Sequence, residues 1–223
     1  MAYQLQFAEV WPHWPALARG ALYTLELTAV STVAGVAVGT LGAAARVSSS
    51  AAARAVARAY VELIRNTPFI VQLFFVFFGL PSLGVRLSEG EAAVLAMVIN
   101  LGAYSTEIIR AGIDATPKGQ VEAALALAMS RIQVFLHVVL QPAFERIWPA
   151  LVSQVVIVML GSAVVSQISA PDLTFAGSFI HSRNFRAFEV YVVITVMYLG
   201  LALLVRQALL GLGRRVFRRA SPA

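Results

Sequence analysis

Residues 122–142 read EAALALAMSRIQVFLHVVLQP. The stretch opens with an acid and small residues, carries Arg131 in its middle and closes on Pro142. On both sides lie apolar runs long enough to cross a bilayer, which takes roughly 20 residues of helix. Leu125, Met129, Ile132, Leu136 and Val139 recur at steps of four and three, the spacing of one apolar helical stripe. Ala124 and Ala128, one turn apart, make a shallow patch that lets another surface come close. Thr116 and Pro117 supply a capping hydroxyl and a proline for a helix start, although Gly119 weakens that signal. Glu122 in the early turns favours the positive helix end. Gln141-Pro142 is expected to break the pattern before the next span. The stretch therefore predicts one helix, or two short ones with a turn near Ser130, along the membrane face. Its stripe either packs onto the chain's own spans or docks a partner.

The 223 residues are 59% hydrophobic and only 13% charged, against about 25% for an ordinary soluble domain. The mean hydropathy is +0.79. One multi-pass membrane domain, residues 1–223, is expected. Five spans fit, over about 21–45, 61–80, 92–113, 147–169 and 189–211. The chain has no cysteine, which excludes disulfides, thiolate catalysis and cysteine-ligated metals. The first twenty residues lack a basic stretch followed by an apolar core, so no cleavable signal peptide is expected there. Trp11 and Trp14 suit a membrane interface.

The basic residues set the orientation. Thirteen of the seventeen fall in one set of segments, including Arg46, Arg54, Arg58, Arg65, Arg110, Lys118, Arg131 and Arg146. The other set holds Arg19, Arg86, Arg183 and Arg186. The richer side is placed in the cytoplasm, with the N-terminus outside and the C-terminus inside. Residues 114–146 then form the longest cytoplasmic connection, too long for a structureless loop in a compact protein. The tail RRVFRR, residues 214–219, reads as an anchor at anionic headgroups rather than a nucleic-acid site.

The 122–142 segment resembles the EAA motif of bacterial ABC-importer permeases: EAA, three residues, glycine, nine residues, isoleucine, one residue, then LP. Glu122, Ala123 and Ala124 match. Ala128 replaces the glycine, Val138 the isoleucine, Leu140 matches the leucine, and Pro142 falls one place late. The stretches TLELTAVSTVAGVAVGTL, AYVELIRNTPFIVQLFFVFFGLP and GAYSTEIIRAGIDATPKGQVEAA, and the surroundings of PDLT, resemble permeases of the polar amino acid group, whose substrates include histidine, glutamine, glutamate, arginine and opines. The resemblance covers roughly residues 20–210.

That resemblance implies an all-α integral membrane protein with the type I ABC importer (MetI-like) permease fold, in the bacterial cytoplasmic (inner) membrane. It implies a homodimer or heterodimer of permeases, an ATPase dimer below and an extracytoplasmic amino-acid-binding protein above. It places Glu122, Ala123, Ala124, Ala128, Met129, Ser130 and Arg131 in the contact with the ATPase. The chain's only lysine, Lys118, lies between Pro117 and Gly119, so no phosphate-cradling Gly-Lys-Ser/Thr loop exists. No cofactor is expected on this chain, with ATP and magnesium on the partner ATPase and no enzymatic activity of its own.

Polar residues inside spans are costly and so are candidates for the substrate path. They are Gln72, the Asn100, Tyr104 and Glu107 face of the third span, and Gln154, Ser162 and Gln167. Hydrogen bonding between helices is the competing role. Glu107 and Arg110, three apart, predict a local ion pair. Related permeases often read KDTSL where residues 160–164 read LGSAV, so Leu160 and Gly161 replace a charged pair. That alters the substrate or gate, or leaves those charges to a partner permease.

The external stretch PDLTFAGSFIHSRNFRAFE, with Phe175, Phe179, Phe185 and Phe188, is expected to line an outer gate and receive the binding protein, or to anchor at the interface. Ser162 and His181 are the one nucleophile and base pairing available, without a GxSxG motif. His13, His137 and His181 share no metal-ligand spacing. A channel or membrane scaffold is the alternative class, and both leave the EAA segment unexplained.

Overall fold

The computed structural model describes residues 4–217, so Arg218 and Arg219 of the basic tail lie outside the described residues. Helix α1, Trp14–Arg46, starts with Pro15 in its first turn. At 1.5 Å per residue its 33 residues span about 50 Å, more than a hydrocarbon core. Helix α4, Glu89–Asp114, is held at its start by a reciprocal cap between Ser88 and Glu91. These two helices run side by side in the same direction. Gly35 faces Leu101, Gly39 faces Ser105 and Gly42 faces Thr106, and a Cβ at Gly35 would stand 2.9 Å from that of Leu101. Glycines four and three apart let two membrane helices approach backbone to backbone.

Two parallel helices need a return between them, and the predicted second span does not supply it as one rod. The chain forms α2, Ala51–Arg65, and α3, Phe69–Phe74, the latter running on through a π-helical turn, Phe75–Gly79, and a 3-10 turn, Leu80–Leu83. The two halves meet at a bend of 109°. Ser50 caps α2 by accepting from the Ala53 amide at 3.3 Å. Pro68 causes the bend, because the residue before a proline is pushed out of the helical region. The expected span over about 61–80 falls across this bent pair, Ala51–Arg65 and Phe69–Leu83. Four helices are long and apolar enough to cross a membrane, and the bent pair makes a fifth candidate when counted as one span.

The segment after α4 folds as two short helices. Helix α5 covers Lys118–Ala126 and α6 covers Arg131–Gln133. Helix α6 then continues, without a break, through a π-helical turn, Val134–Leu140, into α7, Gln141–Gly161, and a final 3-10 turn, Ser162–Ile168. The expected break at Gln141-Pro142 is absent. Proline cannot donate to the preceding turn and crowds the carbonyl four residues back, and the wider π turn ahead of Pro142 relieves both conflicts.

Residues read as an external loop form helix α8, Leu173–Asn184, capped by Asp172, whose carboxylate accepts from the Phe175 amide at 2.8 Å. Helix α9, Ala187–Phe217, closes the bundle. Leu17 on α1, Leu173 and Ile180 on α8, and Val190 and Ile194 on α9 form one core cluster. Leu73, Met97, Leu101, Val155 and Val165 form the largest, where α3, α4 and α7 meet. At the other end, the Trp148 indole donates to the Leu209 carbonyl at 2.9 Å and lies against Gly213, tying α7 to α9.

Candidate functional site

Two features stand out: a half-open cavity with a few polar side chains in its wall, and an apolar turn projecting from the bundle. The cavity, about 360 Å³, has three walls. The α2–α3 bend contributes Thr67, Pro68 and Phe69, α4 contributes Asn100 and Tyr104, and α7 contributes Gln154, Ile157, Val158 and Gly161. The helical residues are three or four apart, which puts each set on one face. Among the described residues, no lining side chain is charged.

Of the predicted path residues, Asn100, Tyr104 and Gln154 converge here. Gln72 stands behind the wall. Its Nε2 donates to the Ile64 carbonyl at 2.7 Å, the Thr67 carbonyl at 3.0 Å and the Thr67 hydroxyl at 2.9 Å. Its Oε1 accepts from Asn100 Nδ2 at 3.0 Å. Gln72 thus fills the hydrogen-bonding gap that Pro68 opens and sets the Asn100 rotamer. Glu107 lies beyond the cavity, bridged to Arg46 at 3.3 Å and Arg110 at 2.9 Å, so the predicted local pair is a triad. Ser162 is buried and donates to the Met159 carbonyl at 2.6 Å, and Gln167 is exposed on the 3-10 turn; neither lines the cavity. The bend residues were not among the candidates, although Thr67-Pro68, between Arg65-Asn66 and the apolar run that starts at Phe69, carried the signal. The Arg65 guanidinium, at the end of α2, lies 5.3 Å from the centre of the Tyr104 ring.

The turn between α5 and α6 is built from backbone rules. The Ala128 amide donates to the Leu125 carbonyl at 3.0 Å and the Met129 amide to the Ala124 carbonyl at 3.3 Å. These bonds form the Schellman ending of a helix, whose central residue takes a left-handed conformation. That residue is Ala128, with φ of 59°. Ser130 then opens α6, its hydroxyl accepting from the Gln133 amide at 3.3 Å and its own amide donating to Gln133 Oε1 at 2.9 Å. Ala124, Val134 and Val139 face inward with Met129 packed on them. Leu125 (46%), Leu127 (79%) and Ile132 (72%) are exposed. Glu122, Ala123, Ala128, Ser130 and Arg131 are also exposed. The predicted single stripe is therefore split: Met129 and Val139 turn in, while Leu125, Ile132 and Leu136 turn out.

Near the other end of the bundle, buried Asp172 joins three helices. Tyr198 on α9 donates to its carboxylate at 2.9 Å, and the following amide, Leu173, donates to Thr24 on α1 at 3.2 Å. Burial pushes the Asp172 carboxyl up to about 6, with the Phe175 amide and the Tyr198 hydroxyl pulling the other way.

A helical bundle with four or five candidate membrane crossings, a half-open cavity that gathers Asn100, Tyr104 and Gln154, and a protruding helix–turn–helix suits a membrane transport subunit. Residues 33–218 match the family described as binding-protein-dependent transport system inner membrane component, and the chain belongs to that family. It is therefore an inner-membrane protein. It is 35% identical over 215 residues to the glutamine transport system permease protein GlnP of Escherichia coli (strain K12), covering 96% of this chain and 98% of that one. It is 37% identical over 171 residues to the L-cystine transport system permease protein TcyB of Bacillus subtilis (strain 168), covering 77% and 73%. A solved structure described as an amino acid ABC transporter with histidines superposes with a TM-score of 0.86 at 35% identity, covering 96% of this chain and all of that one.

Proposed function

We propose that this chain is the membrane-spanning subunit of an ATP-driven amino acid importer, and that its α5–α6 turn docks on a separate ATPase. The relatives named for glutamine and cystine, and the related amino acid transporter, support the substrate class. The observation that carries the coupling role is the exposed apolar tip. Leu125, Leu127 and Ile132 point away from a turn whose other face is anchored in the protein. Burying a leucine contributes about 1.5–3 kcal/mol, so three such side chains gain most by entering a groove on a partner. Leu125 and Leu127 lie outside the long apolar helices, and Ile132 stands in the first turn of one, Arg131–Ile168.

Substrate delivered by a binding protein enters the cavity of Asn100, Tyr104 and Gln154, whose amide and hydroxyl groups offer both donors and acceptors to a zwitterion. The α5–α6 end faces the cytoplasm, because the segments on its side hold thirteen of the seventeen basic residues. Closure of ATP-loaded partners moves the turn and switches access to the cavity. The ATP and magnesium reside on those partners, consistent with the missing phosphate loop. A second permease, identical or different, completes the path.

The test is a mild-detergent pull-down from the native membrane, paired with uptake. Glu122 is exposed and makes no ion pair among the described residues, so Glu122→Arg perturbs docking without breaking the fold. The expected result is an ATPase that co-purifies with wild type and is lost, with uptake, in the variant. Unaltered co-purification and uptake would remove the turn from the contact.

A further inference from the structure

A separate groove of about 520 Å³ opens between the start of α7 and the end of α9. Trp148, Pro149, Leu210 and Phe217 line it, and Glu145 and Arg214 complete its wall. The lining positions 145, 148 and 149 share one face of α7, and 210, 213, 214 and 217 share one face of α9. The Trp148 indole donates to the Leu209 carbonyl and lies against Gly213, which fixes the height of one helix against the other. Glu145 stands three residues before Trp148, and Arg214 one residue past Gly213. At 1.5 Å per residue the two charges are within about one helical turn of each other in height, on opposite walls.

Glu145 and Arg214 are both exposed, and neither forms an ion pair among the described residues. Glu145 and Arg146 stand just before the uncharged run 147–168, and Arg214 and Arg215 follow the apolar length of α9. The groove therefore lies at the depth where hydrocarbon meets headgroups, a level that suits a tryptophan. Beside it Leu203, Leu204, Leu212 and Val216 of α9 are exposed, an outward face for lipid to cover. Arg206 and Arg215 are exposed on the same helix and give this end a basic excess that attracts any anionic headgroup. The carboxylate in the wall sets the groove apart from that general attraction, since it repels a simple anion and calls for a cation next to the phosphate.

We propose that the α7–α9 groove binds one phospholipid with a zwitterionic aminophosphate headgroup. The Arg214 guanidinium, a planar fork of donors, takes the phosphate. The Glu145 carboxylate accepts from the primary ammonium, and the acyl chains lie along Trp148, Leu210 and Phe217. Phosphatidylethanolamine has both charges and the N–H donors. Phosphatidylglycerol lacks the cation, and the quaternary ammonium of phosphatidylcholine has no N–H to donate. The site needs neither the substrate path nor the ATPase contact, and it goes beyond the transport reading by making the lipid headgroup a ligand of the chain.

Trp148 is itself the reporter. The other two tryptophans, Trp11 and Trp14, are exposed and can be replaced by phenylalanine. The full chain carrying those two replacements is reconstituted in phosphatidylcholine vesicles doped with phosphatidylethanolamine, phosphatidylglycerol or phosphatidylcholine brominated on its acyl chains, which quenches nearby indole fluorescence. Brominated phosphatidylethanolamine should reach half-quenching at about a five-fold lower mole fraction than brominated phosphatidylcholine, the ratio that partly exposed charge pairs allow. Glu145→Gln should erase that advantage and raise quenching by phosphatidylglycerol, whereas Arg214→Gln should lower quenching by both. A preference that changes from one headgroup to another cannot come from a misfolded chain. Equal quenching by the three lipids would make the groove ordinary lipid-facing surface, and strongest quenching by phosphatidylglycerol would leave only the basic anchor. No quenching by any would mean that protein, a second copy or a partner, covers the groove. Each of these overturns the proposal, as does a phosphatidylethanolamine preference that survives Glu145→Gln.

Discussion

Replacing Ala128 with glycine should strengthen the coupling turn. Ala128 has φ of 59°, in the left-handed region, where an L-residue's Cβ crowds the following carbonyl at a cost of about 1–2 kcal/mol. Glycine removes that strain but loses about 0.5–1 kcal/mol through its greater freedom in the unfolded chain. The side chain is exposed, so its removal leaves no cavity. The net gain is then about 0.5–1 kcal/mol, roughly two- to five-fold in the opening equilibrium of the turn. Hydrogen exchange reads it directly at the amides of Ala128 and Met129, which are bonded to Leu125 and Ala124. Ala128→Gly should slow both by that factor, while the Ala53 amide at the distant start of α2 is unchanged. Ala128→Val, β-branched in the same conformation, should speed them and weaken ATPase recruitment. If glycine leaves both amides unchanged or speeds them, residue 128 does not occupy the left-handed conformation and the turn is built differently.

Two further substitutions test the frame. Gly39→Val drives a branched side chain into Ser105, so it should cost about 1–3 kcal/mol and lower the detergent melting temperature; Gly200→Ala, with open space around it, should not. Asp172 gives a pH signature, since its folded value near 6 lies above its ordinary one. An acid that holds its proton more tightly when folded contributes its stability fully below about pH 4 and loses it as pH rises through about 6. The packing of α8 on α1 and α9 should therefore tighten, by an amount of order 2–3 kcal/mol, as pH falls from 7 to 4. Asp172→Asn should flatten that dependence in thermal melts across the range; a slope that survives the substitution would assign it to another group.

What the sequence made legible followed from signals that add up over many residues. The spans at α1, α4 and α9 were visible because each is a long apolar run, and a few misplaced ends do not alter it. The shape of the second span was not legible because hydropathy is blind to backbone geometry: one Thr67-Pro68 step turns the chain by 109°, just after the polar Arg65 and Asn66. Helix α8 failed for the opposite reason. Its serines, His181 and Arg183 lower the hydropathy, although Asp172 before Leu173 was a cap signal in plain view. The polar-in-membrane rule found Asn100, Tyr104 and Gln154, but it also named Gln72, because a brace and a lining residue obey the same rule. Only the 3.0 Å bond between Gln72 and Asn100 separates their roles. A turn near Ser130 was expected, but the left-handed backbone at Ala128 was beyond residue propensities, since alanine gives no local sign of it; the glycine usual there in similar permeases was a hint.

The two features of the proposed function share their walls. Helix α4 carries Asn100 and Tyr104 past the cavity and reaches α5 after the short link 115–117. Helix α7 carries Gln154 and Gly161 and is continuous with α6. In the proposed coupling, a push on the exposed tip would reach both helical walls along the chain. At the junction the helices are close-packed: Gly112 on α4 leaves room for Ile147 on α7, and Ile113 packs on the Ala124, Val134 and Val139 cluster. The compliant element along the α7 route is the π turn Val134–Leu140, whose wider ring is less well bonded than an α-helix. The α2–α3 wall, by contrast, is fixed to α4 through Gln72 and has no direct chain connection to the turn. Movement of the tip should therefore shift α7 relative to a pair formed by α4 and the bend, opening or narrowing the cavity between Asn100 on one side and Gln154 on the other. A cysteine pair at those two positions, cross-linked with and without ATP, would test that geometry: the yield should change with nucleotide in wild-type background and stay constant once Glu122→Arg uncouples the tip.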